Sequence, residues 1–584
     1  MNTEAPEKIM QLLSFTWADY ALFFSMFFLS VLIGIYFGCF QKKNDTPEEY
    51  LLGNRNMNIF PIAMSLIAGH LSGITLLGVP SEIYMYGGQY CMFVIVCFLI
   101  IIIMNYVYLP PFYNSQVSSS YEYLQLRFDE KIRLMALVLY VIASFFYIPI
   151  VIYIPALAFN QVTGMSIHYI TPIICAICIF YTTIGGLKAV VWTDALQFSV
   201  TTAALLAVSF IGVGDIGGFG KLLEINRHGD RLEFFNMDVN PTVRTTFWGI
   251  CIGLTTHWVS ILGVNPSSVQ RYMSVPSFSK AKITVLSLGL GTLFVKIFTA
   301  LLGFIMYAKY HDCDPYTSNK IKNPDQILPF FVMDIAKDIP GLSGLFVAGV
   351  FSTALSTMSA HLNTLAGTLY EDFFRKFLPP RISANNFIKS TVVVCGVICV
   401  AMVFIIEKLG GIIQISGCFS GITSGPLLGL FTLGMLFPTA TKKGALVGSI
   451  TSLAIMSWIV IGFQYHYINK HIPNVYKPLS VENCGSNVTN INLTNSTINS
   501  ETGQNEPFFL FRISFYWYYP IGTLLVVIVG SFVSWILGDA NEKRFEKNLY
   551  SPIVHRFIPN APADYVQVAL KDIECEQESI KNIL

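Results

Sequence analysis

The chain has 584 residues, of which 53% are hydrophobic and 12% charged, and its net charge is +1. Soluble domains carry about 25% charged residues, so this composition excludes an ordinary soluble domain. The near-zero charge says nothing about partners.

The apolar residues gather in thirteen blocks close to the ~20 residues that a helix needs to cross a bilayer. They are 17–40, 58–80, 88–111, 134–157, 169–186, 194–213, 245–264, 283–308, 341–367, 390–407, 411–437, 443–463 and 517–538, the fifth and tenth being the shortest. The fold expected is an all-α polytopic membrane protein of about 13 transmembrane helices. The start, MNTEAPEKIM, lacks a basic n-region and no A-x-A site follows the first block, so that block is expected to be retained.

The second block, NIFPIAMSLIAGHLSGITLLGVP, clusters Gly69, Ser72 and Gly73 at mid-depth around His70, with Thr75 just beyond. Freed backbone carbonyls at membrane depth are tolerated only where they line a cavity or bind something. Gln89 opens the third block. Cys175 and Cys178 form C-x-x-C inside an apolar helix, without the context of a redox domain. Asp194 follows Thr193 at the start of the sixth block, where the pair could cap a helix. Residues 212–217 match G-x-G-x-x-G but end a membrane block instead of joining a strand to a helix. Gly220-Lys221 lacks the rest of a P-loop. No nucleotide or nucleic-acid partner is expected, which argues against an ATP-driven pump.

The seventh block, TFWGICIGLTTHWVSILGVN, repeats the glycine interruption with Gly249 and Gly253, followed by Thr255, Thr256, His257 and Trp258. Counted from the second block, these are the first helices of two consecutive groups of five. Interrupted helices in corresponding positions of two halves point to an inverted-repeat transporter with its site at the midplane. Lys296 stands mid-span in TLFVKIFTALLGF, at a cost of ~2.5–3.5 kcal/mol unless paired or hydrated. It either faces an anionic solute or snorkels, and snorkelling is the more ordinary fate. His257 faces the same choice, with packing favoured.

The ninth block contains AGVFSTALSTMSAHLNTLAGTL (348–369), with no charge but seven hydroxyl side chains. Small hydroxyl residues serve helix packing in membranes, and taken alone the segment favours that role. Thr353, Ser356 and Thr357 nevertheless share one face at i, i+3 and i+4, and neutral oxygens are ligands for a hard cation. Gln414 and Ser416 lie early in the eleventh block. The loop 464–516 holds three N-x-S/T sequons, at Asn487, Asn492 and Asn495. Glycosylation there, together with basic pairs at 42–43, 375–376 and 442–443, predicts an extracellular N-terminus and a cytosolic tail, 539–584. Cys313 and Cys484 fall in predicted outer loops, where a disulfide is permitted; two unrelated thiols are the alternative.

Four stretches then carry a resemblance: FYTTIGGLKAVVWTDALQ (180–197), GVNPSSVQRYMS (263–274), FSTALSTMSAHLNTLAGTLYEDF (351–373) and SGPLLGLFTLGMLFP (424–438). They resemble the sodium/solute symporter family, which includes sodium–glucose, monocarboxylate, multivitamin and iodide transporters. GVPSEIYMYG (78–87) and YNSQVSSSYEYLQLRF (113–128) are similar to its anion-carrying branch. The sugar branch places an acidic residue shortly after the glycine pair; Gln89-Tyr90 follows Gly87-Gly88 here, which argues against a hexose carrier.

The resemblance implies a LeuT-like core of two inverted five-helix repeats with broken first helices. The layout expected is 1–40 as extracellular N-terminus and first helix, 58–213 and 245–437 as the repeats, 443–538 as two added helices, and 539–584 as the tail. It implies a co-transported sodium ion bound by carbonyls of Ala68, Leu71 and Thr353 and hydroxyls of Ser356 and Thr357. Asp194 would border the ion's exit path, and Arg271 of the Gln270-Arg271 pair would brace loops or snorkel. His70, Thr75, Gln89, Trp258, Lys296, Gln414 and Ser416 would line the solute cavity. The function expected is sodium-coupled import of a small organic anion, a monocarboxylate first, across the plasma membrane. Iodide or a vitamin is the nearer alternative, a solute sensor without net transport the more distant one. An intramembrane enzyme built on His70 or His257 lacks any nucleophile–base spacing.

Overall fold

The computed structural model describes residues 15–40, 55, 57–117, 119–337, 339–375, 377, 379, 383–406, 412–469, 471–472, 475–484, 507–537 and 546–558. The sequons at Asn487, Asn492 and Asn495 lie outside the described residues, as do all 26 positions from 559 onward.

Among the described residues the chain is all-α. Ten helices are long and apolar enough to cross a membrane, and one bent pair makes up to eleven. The fifth and tenth blocks, shortest in the sequence, pass that test as Ile167–Ile184 and Ala384–Phe404. The seventh is instead the short one, Gly249–Val264, while the eleventh runs as a 25-residue helix, Ile412–Leu436. Glycine winding shortens the seventh. Its two glycine-bearing stretches, Gly249–Leu254 and Ser260–Val264, are π-wound and flank one α-helical turn and a half.

The hydroxyl-rich helix, α13 (Leu342–Leu369), is the hub. Of its membrane-length window 94% is buried, against 28% to 56% for the other long spans. Ser, Thr, Ala and Gly let neighbours approach a helix closely where lipid supplies no hydrophobic drive for helix association. α7 (Ile167–Ile216), α1 (Trp17–Ile35) and α6 (Glu130–Thr163) surround it. Thr201 Oγ1 donates to Gly349 O at 2.9 Å. Asp19 receives the Gly344 amide at 2.8 Å while completing a capping box with Thr16. α7 holds two expected spans, Ile167–Ile184 and Gly186–Ile216, joined across a kink at Gly186 (φ 62°, ψ −159°), a conformation that favours glycine.

The second block divides into α2 (Ile59–His70) and α3 (Ile74–Tyr86), bent by 60°. Leu71 leaves helical geometry (φ −92°, ψ 86°). Its amide is the last of α2 to bond, to Ile67 O at 3.0 Å, and bonding resumes with Thr75 N to Ser72 O at 2.9 Å. The carbonyls of Ala68 and Leu71 fall in that gap. Pro155 of α6 packs against Gly73, within 3.5 Å of where a Cβ would stand, so the kink is fitted to a neighbour.

At one end of the bundle the Cys313 and Cys484 sulfurs are bonded; this is called the disulfide end. Buried Arg231 ties it together, donating to Tyr84 O and Pro478 O at 2.9 Å each, with its guanidinium 4.1 Å over the Tyr307 ring. At the opposite end a short strap after the last span, Lys547–Phe557, packs back onto the bundle. Tyr123 Oη donates to Leu549 O at 2.8 Å, Ser551 N to Met435 O at 3.1 Å, and Ser551 Oγ to Tyr106 O at 2.9 Å. Tyr550 is fully buried, 4.9 Å under the Arg127 guanidinium.

Candidate functional site

The break in α2–α3 opens onto a cavity of about 230 Å³. His70, Thr75, Trp258 and Lys296 line it together. Gln89 is buried with Oε1 unpartnered but is absent from the wall, where its neighbour Tyr90 stands instead. Gln414 and Ser416 fall in α15 (Ile412–Leu436), and their side chains lie outside the described residues. His257, for which packing was favoured, lines the cavity, its ring 4.2 Å from that of Tyr519 and its Nδ1 without a partner. Sequence reasoning missed Tyr147, Ser260, Ser424 and Glu82. Glu82 falls between the second and third apolar blocks, so the rule that singled out Lys296, an ionisable group inside a block, does not reach it.

His70 can be assigned a tautomer. Ser268 Oγ donates its single proton to Ile261 O at 2.8 Å, so at 2.8 Å from His70 Nε2 it must accept. Nε2 therefore carries hydrogen, which leaves Nδ1 as an acceptor.

Lys296, on α11 (Phe278–Tyr310), does not snorkel. It is 5% exposed, and its Nζ donates to Tyr90 Oη at 2.8 Å. The ammonium stands 5.0 Å from the ring centres of Tyr90 and Phe93 and 5.6 Å from that of Trp258. No carboxylate is within ion-pair distance of it among the described residues. An aromatic box stabilises the cation through the negative ring faces, by about 2 kcal/mol where water is excluded, without neutralising its charge. A lysine without a carboxylate partner among the described residues thus faces a mostly apolar cavity.

Beside the cavity, α2 lies against α13: a Cβ placed on Gly69 would be 3.8 Å from Ala360 Cβ, one turn beyond Ser356. Thr353 Oγ1 donates to Val350 O at 2.7 Å and Thr357 Oγ1 to Thr353 O at 2.9 Å. Hydroxyls that spend their proton on their own helix keep lone pairs for a cation. Thr353 O, in contrast, already receives the Thr357 hydroxyl. Ser356 Oγ is fully buried and unpartnered, and it faces the Asp194 carboxylate without completing a well-formed hydrogen bond.

Asp194 is not a helix cap. α7 runs on from the Gly186 break, which places Asp194 two turns inside the helix. Its Oδ2 receives Ser65 Oγ at 2.6 Å and Arg271 Nη2 at 3.3 Å, while Oδ1 has no partner. Arg271, from α10 (Pro266–Met273), neither snorkels nor reaches a surface loop; it is 1% exposed and also donates to Ser65 Oγ and Ser267 Oγ. This closed network of carboxylate, guanidinium and hydroxyls sits one turn below the α2 break. Ser356 Oγ and Asp194 Oδ1, neither in a well-formed hydrogen bond, border it on the side of α13.

A family model for the sodium:solute symporter family matches residues 50–452. Sodium-coupled monocarboxylate transporter 2 of Homo sapiens is 38% identical over 94% of this chain and 88% of its own length. Sodium-coupled monocarboxylate transporter 1 of Homo sapiens is 38% identical over 90% and 88%. The sodium-dependent multivitamin transporter of Oryctolagus cuniculus is 32% identical over 96% and 89%. A substrate-bound, outward-open Na+-coupled sialic acid symporter matches with TM-score 0.71 and 22% identity, over 91% of this chain and all of that one. A nucleobase-cation-symport-1 family transporter in a closed conformation matches with TM-score 0.54 and 14% identity, over 85% and 96%. At such identities these two structures bear on the fold alone, which is the LeuT-like helical core.

Proposed function

This chain belongs to the sodium:solute symporter family, and we propose that its solute is a small monocarboxylate bound with its carboxylate toward Lys296. Coupled symport of sodium and a small organic solute is established by the family and its relatives; the chain is a transporter and not an enzyme. The single observation that carries the carboxylate reading is the Lys296 ammonium, held in three aromatic rings on the cavity wall without a carboxylate partner. The names of the monocarboxylate transporters agree with it. A vitamin is the second reading, on the multivitamin relative, but a cavity of about 230 Å³ is below the 300–1,000 Å³ usual for larger ligands.

Sodium binds between α2 and α13, on the carbonyls of Ala68 and Leu71 and the hydroxyls of Ser356 and Thr357, with Thr353 O as a further ligand. Support comes from the bonding gap at Leu71 and from the unpartnered Ser356 hydroxyl. Neutral oxygens suit a weakly held monovalent ion that must leave again. Asp194 gives that ion a negative exit step. Binding of sodium stiffens the α2–α3 break, the solute fills the adjoining cavity, and rocking of one repeat against the other exposes both to the far side. Each positive charge that enters gains ~2.3 kcal/mol per 100 mV.

The protein acts at the plasma membrane with the disulfide end outside, the N-terminus extracellular, the tail cytosolic, and glycans on Asn487, Asn492 and Asn495. The test is labelled-pyruvate uptake with current in voltage-clamped oocytes, with and without sodium. Sodium-dependent uptake with inward current supports the reading. Silence toward pyruvate, lactate and longer monocarboxylates, with protein at the surface, overturns it.

A further inference from the structure

Among the described residues Glu82 is the one carboxylate lining the cavity, and it is held by a second cationic side chain, Arg244. Arg244 donates to it twice, Nε to Oε1 at 3.1 Å and Nη2 to Oε2 at 2.9 Å. This is the two-pronged geometry with which a guanidinium recognises any carboxylate. The guanidinium lies 4.1 Å over the Tyr86 ring and 5.1 Å from that of Phe515, and its Nη1 carries no hydrogen bond among the described residues. Its backbone is pinned, since Ser514 Oγ donates to Arg244 O at 2.7 Å and Ser514 N to Pro241 O at 2.9 Å.

The two ends of this pair differ in access. Glu82 is 7% exposed and Arg244 27%, so the arginine looks outward at the disulfide end while the carboxylate points to it from the cavity side. Phe515 belongs both to the cavity wall and to the arginine's aromatic bed, and Tyr516 lies within electrostatic reach of Glu82, Tyr90 and Arg244 alike. One continuous surface therefore runs from Arg244 past Glu82 and Tyr516 to Tyr90 and Lys296. A half-buried second carboxylate, Asp325, sits close enough to Glu82 to feel its charge, yet makes no ion pair with Arg244. Two carboxylates thus stand near one guanidinium, and a pure brace has no need of the second.

We propose that Arg244 is the first anion-binding residue a carboxylate solute meets, that Glu82 is its built-in occupant, and that exchange of one carboxylate for the other admits the solute to the cavity. This rests on the reading of the solute as a carboxylate that enters from the disulfide end. The exchange replaces one two-pronged bond by another, and its cost is the release of the Glu82 carboxylate from its guanidinium. It also selects by charge, since a neutral solute cannot release Glu82.

The test is the KM of sodium-dependent pyruvate uptake at saturating sodium, with surface protein measured in parallel. Glu82→Gln leaves Arg244 without its competitor and lowers KM by up to about fivefold, the range of a partly exposed ion pair. Arg244→Gln removes the receptor group and raises KM by about tenfold or more. Opposite signs support the exchange. Shifts in the same direction, as expected when either half of a structural brace is cut, overturn it. If Glu82→Gln fails to reach the surface, Glu82→Asp carries the same sign, because it draws the charge back by one methylene. A wild type that transports no carboxylate removes the solute reading and this proposal together, whereas a transporting wild type with same-sign shifts removes this proposal alone.

Discussion

At the scale of single residues, the positions that matter are buried polar atoms left with one partner too few. Ser356 Oγ is fully buried and unpartnered, and Thr357 lies beside it on the same face. Replacing both by Ala should raise the sodium concentration for half-maximal uptake by about tenfold or more while surface expression holds, as read from a sodium titration of uptake. Unchanged sodium dependence would remove these ligands from the proposal. Lys296→Met keeps the stem length and the aromatic contacts but deletes the charge. It should weaken uptake of carboxylates far more than that of their amides, and equal loss for both would reduce Lys296 to a packing group. Asp194 and Arg271 are a buried pair in which one charge holds the other. Arg271→Met strands the carboxylate at a cost of about 3–5 kcal/mol, so the variant should be lost from the surface. Asp325 is the titrating group outside the spans. Burial, with the like charge of Glu82 and against the opposing pull of Arg244, pushes its carboxyl up to about 6 from 3.8. Because the folded protein then keeps a proton that the unfolded chain releases, stability falls as pH rises from about 4 through 6 and is level above. Asp325→Asn should flatten that limb in melting temperatures taken between about pH 4 and 8 in detergent.

Helices and their breaks set the precision of these positions. α2 stops at Leu71 because Gly69, Ser72 and Gly73 weaken the ladder and Pro155 fills the bend, which leaves a gap in the backbone hydrogen bonding there. α13 can stand at the centre because its neighbours come almost to backbone contact. A Cβ at Gly344 would lie 2.3 Å from Asp19 O, inside the junction of α1 and α13. Gly344→Ala should force those helices apart at a cost of about 1–3 kcal/mol and lower the detergent melting temperature by several degrees. The sequence made much of this legible: the hydroxyl face of α13 and the glycine cluster of α2 are local patterns. The seventh block was less so. Its glycines resemble those of α2, yet they yield π-wound turns instead of a 60° bend. Whether a weakened helix breaks or rewinds depends on what packs against it, and for Gly253 that is the Tyr516 backbone, more than 250 positions along the chain. The same reason hid the cavity role of His257 and the Glu82–Arg244 pair, since each is made by partners far away in sequence.

Over the whole molecule, the two ends are fastened by unlike means. The disulfide end is closed by a covalent bond and by Arg231; the opposite end is closed by the strap at Lys547–Phe557. Tyr550→Ala would empty a fully buried site between Arg127 and the bundle, at about 3–5 kcal/mol. A drop in melting temperature with sodium affinity unchanged is the expected result. The strap also has a place in time. Every wall of the cavity, through Tyr519, is encoded before it, so a nascent chain can hold all its spans in the membrane while Tyr106, Tyr123 and Met435 still await their partners. The bundle is therefore closed by a segment translated after all of its spans. A chain that terminates early, even just short of Leu549, would enter the membrane with a complete solute cavity and an unfinished end, a lesion that cellular quality control can read before any transport has begun.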